Sequence, residues 1–278
     1  MTLAPIELGR LHGPFPVTLD REVIRRYAAA TNDPNPCYRD GSAVPVAFPV
    51  SLVFDAQTAG NSGIPREAFG MARAVVHGEH DLVLHRALVP GEDLAIFSEA
   101  SSVRVTRAGT GVVLRIEMRD TSDEIVAEQW WKTFFAGAVL GEDRGPEPPD
   151  HTFPESAREE RVGQYVVHVD VDQPTRYGEV SGDWSPHHFD RAVAQAEGFS
   201  GVFLHGLCTM AMCGQAVVET VAGGDPTRVR RLAVRFASPT MLDDNLVVEI
   251  FRASPTTFAF EATCAGATVI KHGWAELR

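Results

Sequence analysis

Shifted by 150 residues and laid over itself, this sequence repeats. Tyr27 to Asp40 (YAAATNDPNPCYRD) aligns without a gap on Tyr177 to Asp190 (YGEVSGDWSPHHFD): Tyr, Asp, Pro and the final Asp coincide, and Thr31 faces Ser181. A second match follows in the same order, Leu82 to Leu94 answering Val234 to Leu246, each reading as a strand, a proline-containing turn and another strand. Two ordered matches at nearly one offset predict a duplicated domain. Between the halves, Gly141 to Glu160 combine proline, glycine and charge with almost no apolar content, the composition of a solvated linker. The expected organisation is therefore residues 1–140, a linker at 141–160, and residues 161–278. With 44% hydrophobic residues in 278, the chain can fill two modest cores.

Each half carries one helical pattern and a run of strands. Leu207, Met210, Ala211, Gly214, Val217, Val218 and Val221 recur at helical spacing and stop at Gly223-Gly224-Asp225-Pro226. Strands are predicted at Leu246 to Phe251, Phe258 to Cys264 and Val269 to Leu277, where Phe258, Phe260 and Ala262 mark one buried face. The first half follows the same plan, with a helix near Val50 to Thr58 and strands near Leu94 to Val105, Val112 to Met118 and Ile125 to Phe135. The strands are too closely spaced for the crossover helices of a parallel sheet. The pattern predicts an α+β class, a double hotdog in which each antiparallel sheet wraps a central helix.

Charge and composition exclude several functions. A formal net charge of -12 repels nucleic-acid phosphate, and an anionic ligand would need a local basic patch. No stretch approaches the roughly 20 apolar residues of a membrane helix, and Met1 to Arg10 lack a signal-peptide core, so a cytoplasmic location is expected. Cys37, Cys208, Cys213 and Cys264 have neither disulfide-framework nor zinc-knuckle spacing, and reduced core thiols are expected. Gly109-Thr110-Gly111 lacks the third glycine and following helix of a dinucleotide site, and no phosphate-binding P-loop is present.

The chemistry concentrates in Ser181-Gly182-Asp183-Trp184-Ser185-Pro186-His187-His188, followed by Gly201-Val202-Phe203-Leu204-His205-Gly206. Taken singly these residues have bland roles: Asp183 as a cap, His188 as a satisfied core histidine, Gly206 as a turn. Together they resemble the MaoC-like hydratase and dehydratase family, whose signature is Asp-x-Asn-Pro-x-His. The resemblance spans both halves and is specific at the motif. It implies that Asp183 and His188 form the catalytic pair and that Gly206 supplies an oxyanion-hole N–H. The implied reaction is reversible, (3R)-specific hydration of a (2E)-enoyl-CoA to a (3R)-3-hydroxyacyl-CoA, without metal or organic cofactor. Such an addition needs one group to take a proton from water, one to return a proton at Cα, and a donor for the enolate oxygen. Histidine exchanges protons near neutral pH, a carboxylate can orient the water, and Gly206 precedes the apolar helix, whose N-terminal N–H groups favour negative charge.

One departure stands in the motif, where Ser185 replaces the family's Asn with a shorter side chain that lacks the amide. Ser185 and His205 are candidates for substrate contact. Adjacent His187 and His188 are expected to point different ways, and no ligand spacing supports a metal site. In the first half Asp33 and Asn35 persist, but Tyr38 answers His188 and Phe48-Pro49 falls at the His205-Gly206 step. Tyrosine is a poor base at neutral pH and proline lacks an N–H, so one active site per chain is expected. By resemblance the degenerate half enlarges the acyl pocket. Arg228, Arg230, Arg231 and Arg235 form the densest basic cluster, and Arg230 and Arg235 are candidates for the coenzyme A phosphates. The expected partner is an acyl-CoA or acyl-carrier-protein thioester, and the fused pair is compatible with a monomer or a homodimer of chains. Rival readings are a dehydratase on a carrier-protein or specialised acyl-CoA substrate, a hotdog thioesterase, and a non-catalytic acyl-CoA binding protein.

Overall fold

In the computed structural model, which describes residues 4–278, ten antiparallel strands form one continuous sheet. They are β1 (His12–Thr18), β2 (Ala74–Leu84), β3 (Asp93–Thr106), β4 (Gly109–Arg119), β5 (Ile125–Ala136), β6 (Arg161–Val169), β7 (Val229–Phe236), β8 (Asp244–Ser254), β9 (Thr257–Cys264) and β10 (Ala267–Leu277). Their spatial order is β1-β3-β4-β5-β2-β7-β10-β9-β8-β6. The two halves thus repeat one strand order in mirror sequence about the β2–β7 seam, where Asp81 lies opposite Ala233 and Leu82 opposite Leu232. This is the double hotdog that the repeat and the strand spacing predict.

Alternation explains the sheet faces: Leu246, Val248 and Ile250 of β8 are buried, while Asn245, Val247 and Glu249 between them face outward to varying degree. The helix Gly206–Val221 lies against the concave side with twelve of its sixteen residues buried. Apolar residues almost all round its circumference suit it to a core position. Its counterpart in the first half differs from the expected single helix. A 3-10 turn, Phe48–Leu52, with Pro49 in its opening, is followed by a separate helix, Phe54–Gly60. The two pieces part at Val53, whose φ of -105° and ψ of 7° lie outside the helical range.

The halves share one hydrophobic core, to which β2, β7 and the helix Gly206–Val221 all contribute. The helices Arg21–Ala30 and Gln173–Ser181, equivalent in the repeat, pack on each other, and the matching Tyr27 and Tyr177 rings meet 5.9 Å apart. The segment at 141–160 is less solvated than its composition suggests. Phe153 and Ala157 are buried against Phe251 and Ala259 on the outer face of the sheet, and Arg158 reaches Glu261 at 2.8 Å. Two apolar anchors are enough to dock a segment that is otherwise polar.

Candidate active site

The helix Gln173–Ser181 ends because Gly182 adopts φ +75°, a left-handed cap that a side chain would strain. Asp183 then folds an Asx turn: its Oδ1 accepts the Ser185 N–H at 3.0 Å and the Ser185 hydroxyl at 2.6 Å. The same turn is built in the first half, where Asp33 Oδ1 accepts the Asn35 N–H at 3.1 Å. Asp183 is therefore a turn-former as well as a candidate base. Both of its hydrogen bonds fall on Oδ1, which leaves Oδ2 to the site. Ser185 is held extended before Pro186, and Pro186–His188 form a 3-10 turn that carries the imidazoles inward.

His188 is buried, and its Nδ1–H donates to the Phe203 carbonyl at 2.9 Å. A carbonyl only accepts, so this bond fixes the neutral tautomer with its lone pair on Nε2. His205, 1% exposed, donates Nε2–H to the backbone carbonyl of Asp183 at 3.0 Å and stacks on His188 with ring centroids 3.8 Å apart. It supports the site from behind and ties the Asp183 loop to the helix that follows. One carboxylate oxygen of Asp183 and one ring nitrogen each of His188 and His205 lie within 4.8 Å of one another.

The charges follow from these surroundings. Burial alone would raise the Asp183 carboxyl, but the Ser185 hydroxyl, the neighbouring imidazoles and the Ser185 N–H outweigh it, and the group sits below the usual carboxylate range. Burial, then the adjacent His205, drives His188 well below the ordinary imidazole value, with the Phe203 carbonyl opposing. Burial also lowers His205. These surroundings favour an ionised Asp183 and leave His188 little proton affinity of its own, and their spacing is one that a single water can bridge. A carboxylate and two imidazoles are also donors that a divalent cation accepts. Here, however, the hydrogen bonds to Ser185, Phe203 and the Asp183 carbonyl already use one atom of each group.

Gly206 opens the long helix, where its N–H has no carbonyl one turn back within the helix. A side chain there would press on Phe236, since an added Cβ would lie 3.1 Å from that ring. Asp183, Ser185, His188, His205 and Gly206 thus come together at one end of the helix.

The arginines do not join them. Leu232 and Phe236 of β7 face the helix against Gly214 and Gly206, so Arg231 and Arg235 project from the opposite face of the sheet. There Arg235 pairs with Glu79 at 3.3 Å, and Arg231 is locked onto Asp81. Arg230 pairs with Glu276 and lies six residues, roughly 20 Å of strand, from Phe236. The basic cluster is divided between the two faces of the sheet and spent on ion pairs, and neither Arg230 nor Arg235 joins the groups at this end of the helix.

His187 also departs from expectation. Its Nε2 lies 3.2 Å from His188 Nε2, and its Nδ1 lies 2.9 Å from a Glu197 carboxylate oxygen. Successive residues of a 3-10 turn are about 120° apart, unlike the opposed neighbours of a strand, and two long rings can then converge at their tips. Pro186 at the head of the turn was the available signal. In the first half the equivalent position is filled: Tyr38 is buried, and the Asn35 amide donates to the Gly224 carbonyl at 2.8 Å and to Glu219 at 3.3 Å.

Comparison with known proteins agrees with this picture. A family model described as a MaoC-like domain matches residues 152–271, and one described as a FAS1-like dehydratase domain region matches residues 8–129. A Dictyostelium discoideum protein named probable enoyl-CoA hydratase 2 is 26% identical over 230 residues, 80% of this chain and 75% of its own length. The 3-hydroxyacyl-thioester dehydratase Y of Mycobacterium tuberculosis is 29% identical over 203 residues, 69% of this chain and 67% of its own. A MaoC-like dehydratase structure from Phytophthora capsici superposes with a TM-score of 0.83, covering 96% of this chain and 95% of that one at 21% identity, which shows a common fold.

Proposed function

Because this chain belongs to the MaoC-like hydratase and dehydratase family, we propose that it adds water reversibly to a (2E)-enoyl-CoA, giving the (3R)-3-hydroxyacyl-CoA. One observation carries the reading: a carboxylate oxygen of Asp183 and a ring nitrogen of His188 lie within 4.8 Å of each other at the N-terminal end of a buried sixteen-residue helix. In the proposed complex the thioester oxygen accepts the Gly206 N–H, where the helix dipole stabilises the enolate that develops. Asp183 and His188 hold the attacking water; the pair takes up its proton and gives one back at Cα, so that no net proton is gained or lost. The (3R) outcome rests on the relatives named as hydratases.

Under this reading residues 1–140 form the degenerate half, 141–160 the docked connector and 161–278 the catalytic half. The reaction calls for no cofactor beyond the thioester itself. The four unpaired thiols support a reducing compartment such as the cytoplasm. No helix among the described residues is long and apolar enough to cross a membrane.

The test is loss of conjugated thioester absorbance on a panel of enoyl-CoA chain lengths, with the product captured by a (3R)-specific dehydrogenase. Asp183→Asn and His188→Asn are each expected to lower kcat by about 10²- to 10⁴-fold with unchanged circular dichroism. Normal turnover by both variants would overturn the assignment of the pair.

A further inference from the structure

The hydrogen bonds around His187 and His188 count protons. Phe203 presents a carbonyl and Glu197 a carboxylate, and both only accept; His188 Nδ1, 2.9 Å from the first, and His187 Nδ1, 2.9 Å from the second, must therefore each carry hydrogen. The two Nε2 atoms are left facing each other at 3.2 Å. With no proton between them two lone pairs oppose, and with two protons two N–H groups collide. One shared proton makes a hydrogen bond and gives the histidine pair a single positive charge, balanced by Glu197. The pair sits in an aromatic frame, with Phe203 stacked on His187 at 5.3 Å and 6° and Phe199 at 6.2 Å. The charged or titratable groups facing it are Glu197 on one side and Asp183 and His205 on the other.

We propose that His187, held by Glu197, is a positioning residue that stores the proton His188 delivers to the substrate. The proposal rests on the hydratase reading and divides the roles within it. Asp183 takes a proton from water as the oxygen bonds to Cβ, and the double-bond electrons move onto the thioester as an enolate. As the enolate collapses, Cα takes the proton from His188 Nε2, which is shared between His187 on one side and the reacting carbon on the other. The histidine pair is then one proton short and Asp183 holds one extra; relay of that proton through a second water between them restores both. Burial gives His188 little proton affinity of its own, so an acid at this position needs a supplier.

The experiment compares the full-length protein with His187→Leu and Glu197→Gln on crotonyl-CoA across pH, together with ¹⁵N-histidine NMR of the unliganded protein. Wild-type failure to hydrate any enoyl-CoA would defeat the hydratase reading, whatever His187 does. With an active wild type, His187→Leu should lower kcat about tenfold or more with little change in KM, and the alkaline limb of kcat should move to lower pH. Glu197→Gln should act in the same direction but more weakly, since a glutamine can donate to Nδ1 and lets His187 stay neutral. A purely structural role would lower activity without moving the limb, and an unmoved limb in both variants overturns the proposal. NMR at pH 7 should find hydrogen on both Nδ1 atoms and one Nε2 hydrogen shared by the two rings, and a bare His187 Nδ1 or two bare Nε2 atoms would overturn it independently of turnover. Should His187→Leu fail to fold, the half-exposed Glu197 variant and the NMR count decide.

Discussion

Ser185 stands where the family carries asparagine, yet Asp183 keeps a strong donor, because the serine hydroxyl reaches Oδ1 at 2.6 Å while the backbone N–H of the same residue bonds it at 3.0 Å. The shorter side chain works because the Asx turn brings its own hydroxyl back onto the carboxylate. Ser185→Ala removes the side-chain bond and leaves the backbone one. A hydrogen bond to an ionised carboxylate favours the charged form, so its loss raises the Asp183 pKa. If Asp183 is the base, activity is present above its pKa and disappears as pH falls through it. The acid limb of kcat/KM is therefore expected to move to higher pH in Ser185→Ala, with the alkaline limb in place. A pH–rate profile checks this, and an acid limb that does not move would mean that another group takes the proton from water.

Among the elements, β9 and β10 show how closely this sheet is packed. Gly273 lies opposite Phe260, and a Cβ at Gly273 would fall 2.3 to 2.6 Å from three atoms of that ring. Phe260 is fully buried and cannot swing into solvent. Gly273→Ala is expected to destabilise by about 2 kcal/mol in denaturant unfolding, as overpacking does. Adding Phe260→Leu should cost less in that background than alone, and strictly additive effects would rule out the clash. The strands themselves were readable beforehand, since alternation along Phe258 to Cys264 placed β9 to within one residue of its observed Thr257–Cys264 span. What the sequence did not reveal depends on geometry between elements. The first-half helix reads as continuous because apolar spacing does not report the break at Val53. Alternation along β7 separates Arg230 from Arg231 and Arg235, but which face meets the helix, fixed by Phe236 at Gly206, is a tertiary fact. Asp183 and His188 were identifiable from their motif, whereas the pairing of His187 with His188 and Glu197 depends on the pitch of a three-residue turn.

For the whole molecule, duplication created a problem at the joint. The retained Asp33 of the first half comes within electrostatic reach of Glu219, on the helix of the other half, and the Asn35 amide bridges toward the same carboxylate at 3.3 Å. Burial first, and then Glu219, push the Asp33 carboxyl up to about 6 against a partly opposing bond from the Asn35 N–H. A raised carboxyl pKa is a cost to folding at neutral pH. Near pH 4 both folded and unfolded chains hold much of this proton; between about 4 and 6 the unfolded chain gives it up while the folded one keeps it; above about 6 the folded state must carry the unfavourable charge. Stability from this group therefore falls as pH rises through that window. Asp33→Asn keeps an acceptor for the Asn35 N–H and cannot ionise. It is expected to unfold at higher denaturant than wild type above pH 6, by on the order of 2 kcal/mol, with the advantage shrinking towards zero near pH 4. Paired unfolding curves from pH 4 to 8 measure the difference, and carboxylates elsewhere cancel because both proteins share them. A gain independent of pH would place the effect in packing, and a loss of stability at pH 7 would show that the Asp33 charge supports the joint between the halves.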